Sequence, residues 1–499
     1  MDEIKVVING TEYKAKKGEA LAGLLRGAGF DRFVCGGHGR CGKCRVVFTK
    51  NAPTPSETEL KTLSGDEIAG GVRLACRVTL TEDCAISTEK GAATNIVTGG
   101  VKKEFPILPA FKKFGVAVDV GTTTVAARLY DAKGKLLASS CGENPQKAFG
   151  ADVVSRMEAA VGGNAPALAA LIRGKINGLI DELCESAKVN KSEIDGGVIT
   201  GNTVMLHFLT ATSVEPLTHA PFAVKRLFGE VVRSYEIGIT GDFPIYLPPC
   251  VSAFVGADIS CALTSVGDEL SGVCLLIDIG TNGEEALYKN GGFFVCSTAA
   301  GPAFEGAGIT YGMGGGEGAV DKVKYENGAL KAHVIGDAAP KGVCGSGIID
   351  AVTALLDSGD VDETGFMEKG EVEIAAPVTI SQKDVRAVQL AKSAVHAGML
   401  TLLHRAGLTP KEVDRLYIAG GFGSFIDVKS AARIGLIPKE FENKVIVLGN
   451  AALEGASELL LCEPLRESCE ERAKRCELVE LASDGFFAEE YIDKMGFEK

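Results

Sequence analysis

FGVAVDVGTTTVAARLYD, residues 114–131, and VCLLIDIGTNGEEALYKN, residues 273–290, carry one pattern twice. In each, an apolar strand runs into Asp-x-Gly-Thr and a second strand follows. Asp119 matches Asp278, Gly121 matches Gly280 and Thr122 matches Thr281, each pair 159 residues apart. Such a strand ends in a tight hairpin whose amides and hydroxyls offer donors to phosphate oxygens. Its aspartate can bind Mg²⁺, usually through waters. One hairpin of this kind is weak evidence. Two in like contexts predict facing hairpins that clamp a triphosphate from both sides.

Working outward, DRLYIAGGFGSF (414–425) is a strand entering Gly420-Gly421-x-Gly423, a turn that lets backbone lie against an adenosine. ITGNTVMLHFL (199–209) sets Gly201, Asn202 and Thr203 at a strand end before a helix, either a phosphate or Mg²⁺ contact or an ordinary cap. VCGSGIIDAV (343–352) reads as a turn opening a helix, with Gly345 and Ser346 able to face a nucleotide. Glu284, and Glu305 in the glycine-dense stretch 299–318, are candidates to orient an attacking water; solvated or structural carboxylates are the alternative.

These motifs, in this order, resemble the superfamily of acetate and sugar kinases, heat-shock chaperones and actin. The resemblance covers about 114–460 and implies two ribonuclease-H-like α/β lobes with ATP between them. It carries Asp119, Gly121, Thr122, Thr123 and Thr124 onto the first phosphate hairpin. It carries Asp278, Gly280, Thr281, Asn282 and Gly283 onto the second, and Gly420, Gly421 and Gly423 onto the adenosine turn.

The N-terminal 95 residues differ in kind. IKVVING and EYKAKK read as strands around an Asn-Gly turn, GEALAGLLRGAGF as a helix, and RVVF as a strand. Between them lies CGGHGRCGKC (35–44). Cys35, Cys41, Cys44 and the distant Cys76 give Cys-x5-Cys-x2-Cys-x31-Cys, with interleaved glycines that let backbone N–H groups wrap sulfur. A zinc site usually takes two Cys-x-x-Cys knuckles, and only one such pair is present. The module resembles plant- and adrenodoxin-type ferredoxins, which implies a β-grasp domain and a 2Fe–2S cluster. His38, Arg40, Lys43 and Arg45 flank the ligands, as solvated loop charge or as a docking patch for an acidic donor such as ferredoxin or flavodoxin.

The expected fold class is therefore multidomain, α+β and α/β. A β-grasp ferredoxin domain (1–95) and a linker (96–113) precede a two-lobed actin/sugar-kinase-type ATPase (114–460). A helical tail (461–499) is expected to pack on the second lobe. Net charge is +2 over residues 1–90 and −15 over the rest, which argues against nucleic acid as a partner. No apolar run approaches a membrane span and the N-terminus lacks a signal pattern, so a cytoplasmic protein is expected. Eight scattered cysteines read as small buried residues. Cys462, Cys469 and Cys476 recur every seven residues, which places them along one helix stripe.

A ferredoxin joined to an ATPase suggests that ATP drives or gates an electron. The layout, with VDVGTTTVA, GADVVSRM (150–157), the GNT segment, IDIGTNGE, AGPAFEGAGI and IAGGFG, resembles the reductive activators of corrinoid proteins. That resemblance implies ATP-coupled transfer of one electron to Co(II), regenerating Co(I), with a corrinoid methyl carrier as partner. Some members carry an additional domain after the linker. Here only residues 89–113 separate Thr88 from the first ATPase strand, so the contacts of that domain are not carried over to this chain. Oligomeric state stays open, a homodimer among the options. Two other readings compete: an ATP-driven donor to a non-corrinoid, low-potential metalloenzyme, and a nucleotide-binding redox sensor without turnover.

Overall fold

Alternation in EIKVVI turns Ile4, Val6 and Ile8 to one side, where they meet Leu21, Leu25, Val46, Phe48, Leu74 and Ile86. This is the core of the first of two compact units in a computed structural model that describes residues 3–27, 44–88, 105–420 and 426–497. The unit is centred on residues 1–93. Its strands are β1 (Glu3–Ile8), β2 (Thr11–Lys16), β3 (Arg45–Lys50), β4 (Val72–Leu74) and β5 (Cys84–Ser87), in the order β2-β1-β5-β3-β4. Helix α1 (Leu21–Gly27) follows the first hairpin, whose Asn9 and Gly10 take the positive φ of a tight turn. Short helices α2 (Glu57–Thr62) and α3 (Gly65–Ala69) lead to β4. The order, with β1 parallel to β5 and antiparallel to β2, is a β-grasp.

The second unit holds two sheets of like topology. In the first lobe, β6 (Phe114–Val120), β7 (Thr124–Asp131) and β8 (Leu136–Glu143) form an antiparallel meander. Helices α4 (Val153–Ala159) and α5 (Ala165–Ala187) lead to β9 (Ile194–Gly201), parallel to β6. Helix α6 (Thr203–Leu209), β10 (Glu230–Arg233), β11 (Pro244–Leu247) and α7 (Ala257–Val266) complete it, with strand order β10-β11-β9-β6-β7-β8.

The second lobe repeats the plan with β12 (Val273–Ile279), β13 (Gly283–Lys289) and β14 (Gly292–Thr298). An insertion holds β15 (Ala319–Glu326), β16 (Ala329–Val334) and β17 (Gly342–Val343). Then come α8 (Gly345–Ser358), the hairpin β18 (Glu371–Ala375) and β19 (Val378–Ser381), and α9 (Gln382–Arg405). Strand β20 (Arg415–Ala419), α10 (Val428–Arg433), β21 (Val445–Gly449) and α11 (Ala451–Leu461) follow. Helix α12 (Leu465–Lys474), β22 (Cys476–Leu478) and α13 (Gly485–Asp493) end the chain, and the sheet order is β21-β20-β12-β13-β14-β22.

The lobes exchange helices. α7 ends the first lobe in sequence, yet Ile259, Ala262 and Leu263 pack against Leu276, Ala286 and Tyr417 of the second sheet. α11 follows β21 of the second lobe, yet Leu453, Ala456 and Leu460 pack against Ala117, Ala126 and Val198 of the first. The two helices touch where a Cβ on Gly455 would fall 1.8 Å from the carbonyl oxygen of Cys261. Buried Arg128 on β7 pairs with Glu454 on α11 at 2.7 Å.

Three expectations need correction. The tail is not wholly helical and is not confined to the second lobe. β22 pairs with β14, and α13 packs on α9. α12, however, docks on the first lobe, where Tyr246 donates to Glu470 at 3.0 Å and Arg466 lies 4.8 Å over the Tyr246 ring. The exchange explains this, since α11 delivers the chain beneath the first sheet. The cysteine heptad is no helix stripe: Cys462 caps α11, Cys469 lies in α12 and Cys476 opens β22. Pro464 ends the run of helix between them. Finally, residues 105–113 of the expected linker are built into the second unit. Leu108 bonds both Leu461 and Glu463 through its backbone, and Phe111 is buried. No helix among the described residues is long and apolar enough to cross a membrane.

Candidate functional site

The β6–β7 and β12–β13 hairpins place the two matched aspartates at equivalent positions. Asp119 pairs in register with Ala126 and Thr200, and Asp278 with Glu284 and Ala419. The repeat thus carries an acid, Glu284, where its first copy has Ala126. Strand alternation sends the neighbouring Glu285 the other way, into the core beneath Gly398 of α9.

Gly121 allows the first turn: a Cβ there would lie 2.7 Å from the carbonyl oxygen of Thr124. Gly280 donates its N–H to the carbonyl of Asn282, closing the second turn ahead of Gly283. The tips meet. Thr123 Oγ1 and Thr281 Oγ1 lie 3.5 Å apart. Both donate to Oε2 of Glu305, at 3.0 and 2.5 Å. Asn202 caps α6 through the amide of Met205 and also donates from Nδ2 to Thr122 Oγ1 at 3.1 Å. Thr203 instead donates to the Ser252 carbonyl at 2.6 Å. Gly201, at the end of β9, packs against Val120, where a Cβ would fall 2.6 Å from the carbonyl oxygen.

Gly420 closes the second sheet's approach. Its φ is +96°, and a Cβ would lie 2.7 Å from Asp278 Oδ1. Gly421 and Gly423 lie outside the described residues. Gly345 and Ser346 do begin α8, and the Ser346 hydroxyl donates to the Asp321 carbonyl at 3.1 Å, so it is engaged with β15.

Electrostatics mark the site. Burial, together with the charge of Asp258, pushes Asp119 up to about 7, against a hydrogen bond from Asn450. Burial first, then Asp258, Asp119 and Glu305, push Asp278 up to about 8. Burial raises Asp258 to about 6, and raises Glu284 well above the carboxylate range with help from Asp258 and Asp278. Burial raises Glu305 also, opposed by its two threonine hydroxyls and by Arg156. Desolvated acids that repel one another favour the arrival of a cation. Among the described residues, no three His, Cys, Asp or Glu side chains converge closely enough to cage a metal. Mg²⁺ keeps several waters and takes one or two carboxylates plus phosphate oxygens.

Sequence reasoning passed over Asp258, Asn450 and Arg156. Asp258 sits in the first turn of α7, where an acid ordinarily reads as a helix-end charge. Asn450 caps α11 and reads as an ordinary cap. Arg156 lay inside the quoted GADVVSRM, and its full burial in α4 is the signal visible only in three dimensions.

In the first unit, Cys44 Sγ and Cys76 Sγ lie 3.3 Å apart, although they are 32 positions apart in sequence. The Ala75 amide donates to the Cys44 carbonyl at 2.8 Å, and buried Glu59 accepts from the Leu74 amide at 2.7 Å. These bonds bring the Cys76 turn to Cys44, so this half of the ligand set fits a bridging cluster. Cys35 and Cys41, with His38, Arg40 and Lys43, lie outside the described residues. Arg45 pairs with Glu67 at 3.0 Å.

Comparison with known proteins agrees in extent with this architecture. Residues 272–499 match the C-terminal domain of RACo, the ASKHA domain. Residues 114–267, the first lobe, match the RACo middle region. Residues 6–81 match the 2Fe-2S iron-sulfur cluster binding domain. The chain is similar to the corrinoid activation enzyme RamQ of Eubacterium limosum, 35% identical over 426 residues, covering 78% of this chain and 70% of the relative. It is similar to the Co(II) methylated amine-specific corrinoid protein reductase of Methanosarcina barkeri, 24% identical, covering 72% of each. Among solved structures it is similar to a reductive activator for corrinoid, iron-sulfur protein. That match has a TM-score of 0.73 at 26% identity and covers 99% of this chain and 98% of that one.

Proposed function

The chain belongs to the RACo family of corrinoid reductive activators, and on that footing we propose that it uses ATP hydrolysis to drive one electron onto the Co(II) of a corrinoid protein, giving Co(I). The observation that carries this reading is the meeting of the hairpins, with Thr123 and Thr281 hydroxyls 3.5 Å apart. A stand-alone electron carrier has no need of a phosphate clamp.

Cys35, Cys41, Cys44 and Cys76 would hold a 2Fe–2S cluster, which supplies a one-electron donor near roughly −400 mV if plant-like. Reducing an acceptor of lower potential is disfavoured about tenfold for each 59 mV, so a deficit of about 120 mV is a hundredfold handicap. Binding and hydrolysis of ATP offset it through a two-state element. The lobes joined by α7 and α11 supply one. Thr122, Thr123, Thr124, Thr281, Asn282 and Gly283 offer donors to the phosphates. Asp119 and Asp278 would hold Mg²⁺, with its waters between, and the resemblance assigns Gly420, Gly421 and Gly423 to the adenosine turn. Glu284, facing Asp278 across the strand pair, orients the water that attacks the terminal phosphate. An acidic ferredoxin or flavodoxin is the donor suited to the basic residues around 38–45.

Hydrolysis by the reduced protein should rise when a Co(II) corrinoid protein is added and should track Co(I) formed. Hydrolysis unaffected by any corrinoid protein, with no Co(I), would argue for a non-corrinoid acceptor, and nucleotide binding with no hydrolysis at all would argue for the redox-sensor reading.

A further inference from the structure

Glu305 ends a short helical turn, Pro302–Glu305, held between Gly301 at φ +77° and Gly306 at φ +79°. Ala303 and Phe304 bury the turn in the second lobe's core. The loop then folds back on itself: a Cβ on Gly312 would fall 2.0 Å from the carbonyl oxygen of Gly306. It ends on α9, where the amide and hydroxyl of Thr310 both bond Asp384 Oδ1, at 2.7 and 3.0 Å. Asp384 is itself the capping-box residue of α9.

One oxygen of Glu305 accepts both tip hydroxyls, one from each hairpin. A hydroxyl has one proton to donate. Thr123 and Thr281 therefore cannot bond Glu305 and also give those protons to a phosphate. Two anions competing for the same donors also repel. This points to a use of Glu305 other than orienting water. We propose that Glu305 is a displaceable latch. It joins the two phosphate hairpins until the terminal phosphate of a nucleoside triphosphate takes their hydroxyls, and its eviction frees the 301–313 loop from the cleft. The latch rests on the nucleotide reading of the cleft and deepens it, for it makes a segment anchored on α9 report triphosphate occupancy.

Full-length wild type, Glu305→Gln and Glu305→Ala should be titrated calorimetrically with Mg²⁺ and either a non-hydrolysable ATP analogue or ADP. Glutamine removes the charge but still accepts from both hydroxyls, so it controls for repulsion alone. Glu305→Ala should bind the triphosphate analogue about tenfold more tightly than Glu305→Gln, with no such gap for ADP. Hydrogen exchange in 301–313 of the wild type should rise on adding the analogue, a readout that needs no variant. Equal triphosphate affinities of the two variants, or wild-type exchange indifferent to the analogue, would overturn the latch while leaving the nucleotide site intact. A wild type that binds no triphosphate would overturn both.

Discussion

Asn450 Nδ2 donates to Asp119 Oδ2 at 3.0 Å, joining residues 331 positions apart. The donor caps α11, the helix that the second lobe lends to the first sheet, and its own carbonyl oxygen accepts from the Leu453 amide at 2.8 Å. The first aspartate of the repeat is thus oriented by the helix that follows β21 of the second lobe. Any hinge motion of α11 reaches Asp119 directly.

Asp119→Asn tests that placement. The substitution keeps shape and removes charge, so the fold and the visible spectrum of the cluster should persist. ATP hydrolysis and ATP-dependent reduction should fall at least about a hundredfold, the scale of losing an electrostatic stabiliser of a transition state. Unchanged ATP-dependent reduction would remove Asp119 from the site.

The raised acids make a pH prediction. Asp119 and Asp278, with folded values near 7 and 8, hold protons that the unfolded chain releases near 4. Between those values the folded state binds more protons, so stability falls as pH rises. Melting with chelator present should therefore shift down from pH 5 to 8. Mg²⁺-nucleotide should reverse the shift and expel protons. Calorimetry at pH 6.5 in buffers of different ionisation enthalpy should show that release, and no buffer dependence would contradict it.

Cys76→Ser should abolish the cluster absorbance and the electron transfer while leaving nucleotide affinity within about twofold of wild type, because the altered side chain belongs to the first unit. Reconstitution monitored by visible spectra, with nucleotide titration of the same sample, checks both halves.

Gly455→Ala should destabilise by about 3 kcal/mol, since its methyl would enter the carbonyl of Cys261 where α7 and α11 cross. Urea unfolding measures this. A neutral outcome would mean that the helix exchange tolerates a wider spacing.

Much of the local geometry of the candidate site was legible because it follows from short-range rules. The Asp-x-Gly-Thr hairpins, Asn202 at its cap and the opening of α8 follow from short-range turn and cap rules, and each lies where those rules place it. What escaped is set by long-range contact. Asp258 and Asn450 reach the cleft only because α7 and α11 cross between lobes. The same crossing sends α12 to the first lobe, and a break at Pro464 defeats the cysteine periodicity. Residues 105–113 looked like a linker for want of periodicity, yet backbone pairing through Leu108 fixes them.

The central claim is that ATP moves an electron that would otherwise stay on the protein. Anaerobically reduced protein mixed with a Co(II) corrinoid methyl carrier, with visible spectra recorded with and without Mg-ATP, tests it most directly. The account predicts Co(I) only when Mg-ATP is present. Equal Co(I) in both mixtures, or none from several carriers while the cluster remains intact and reduced, would contradict it.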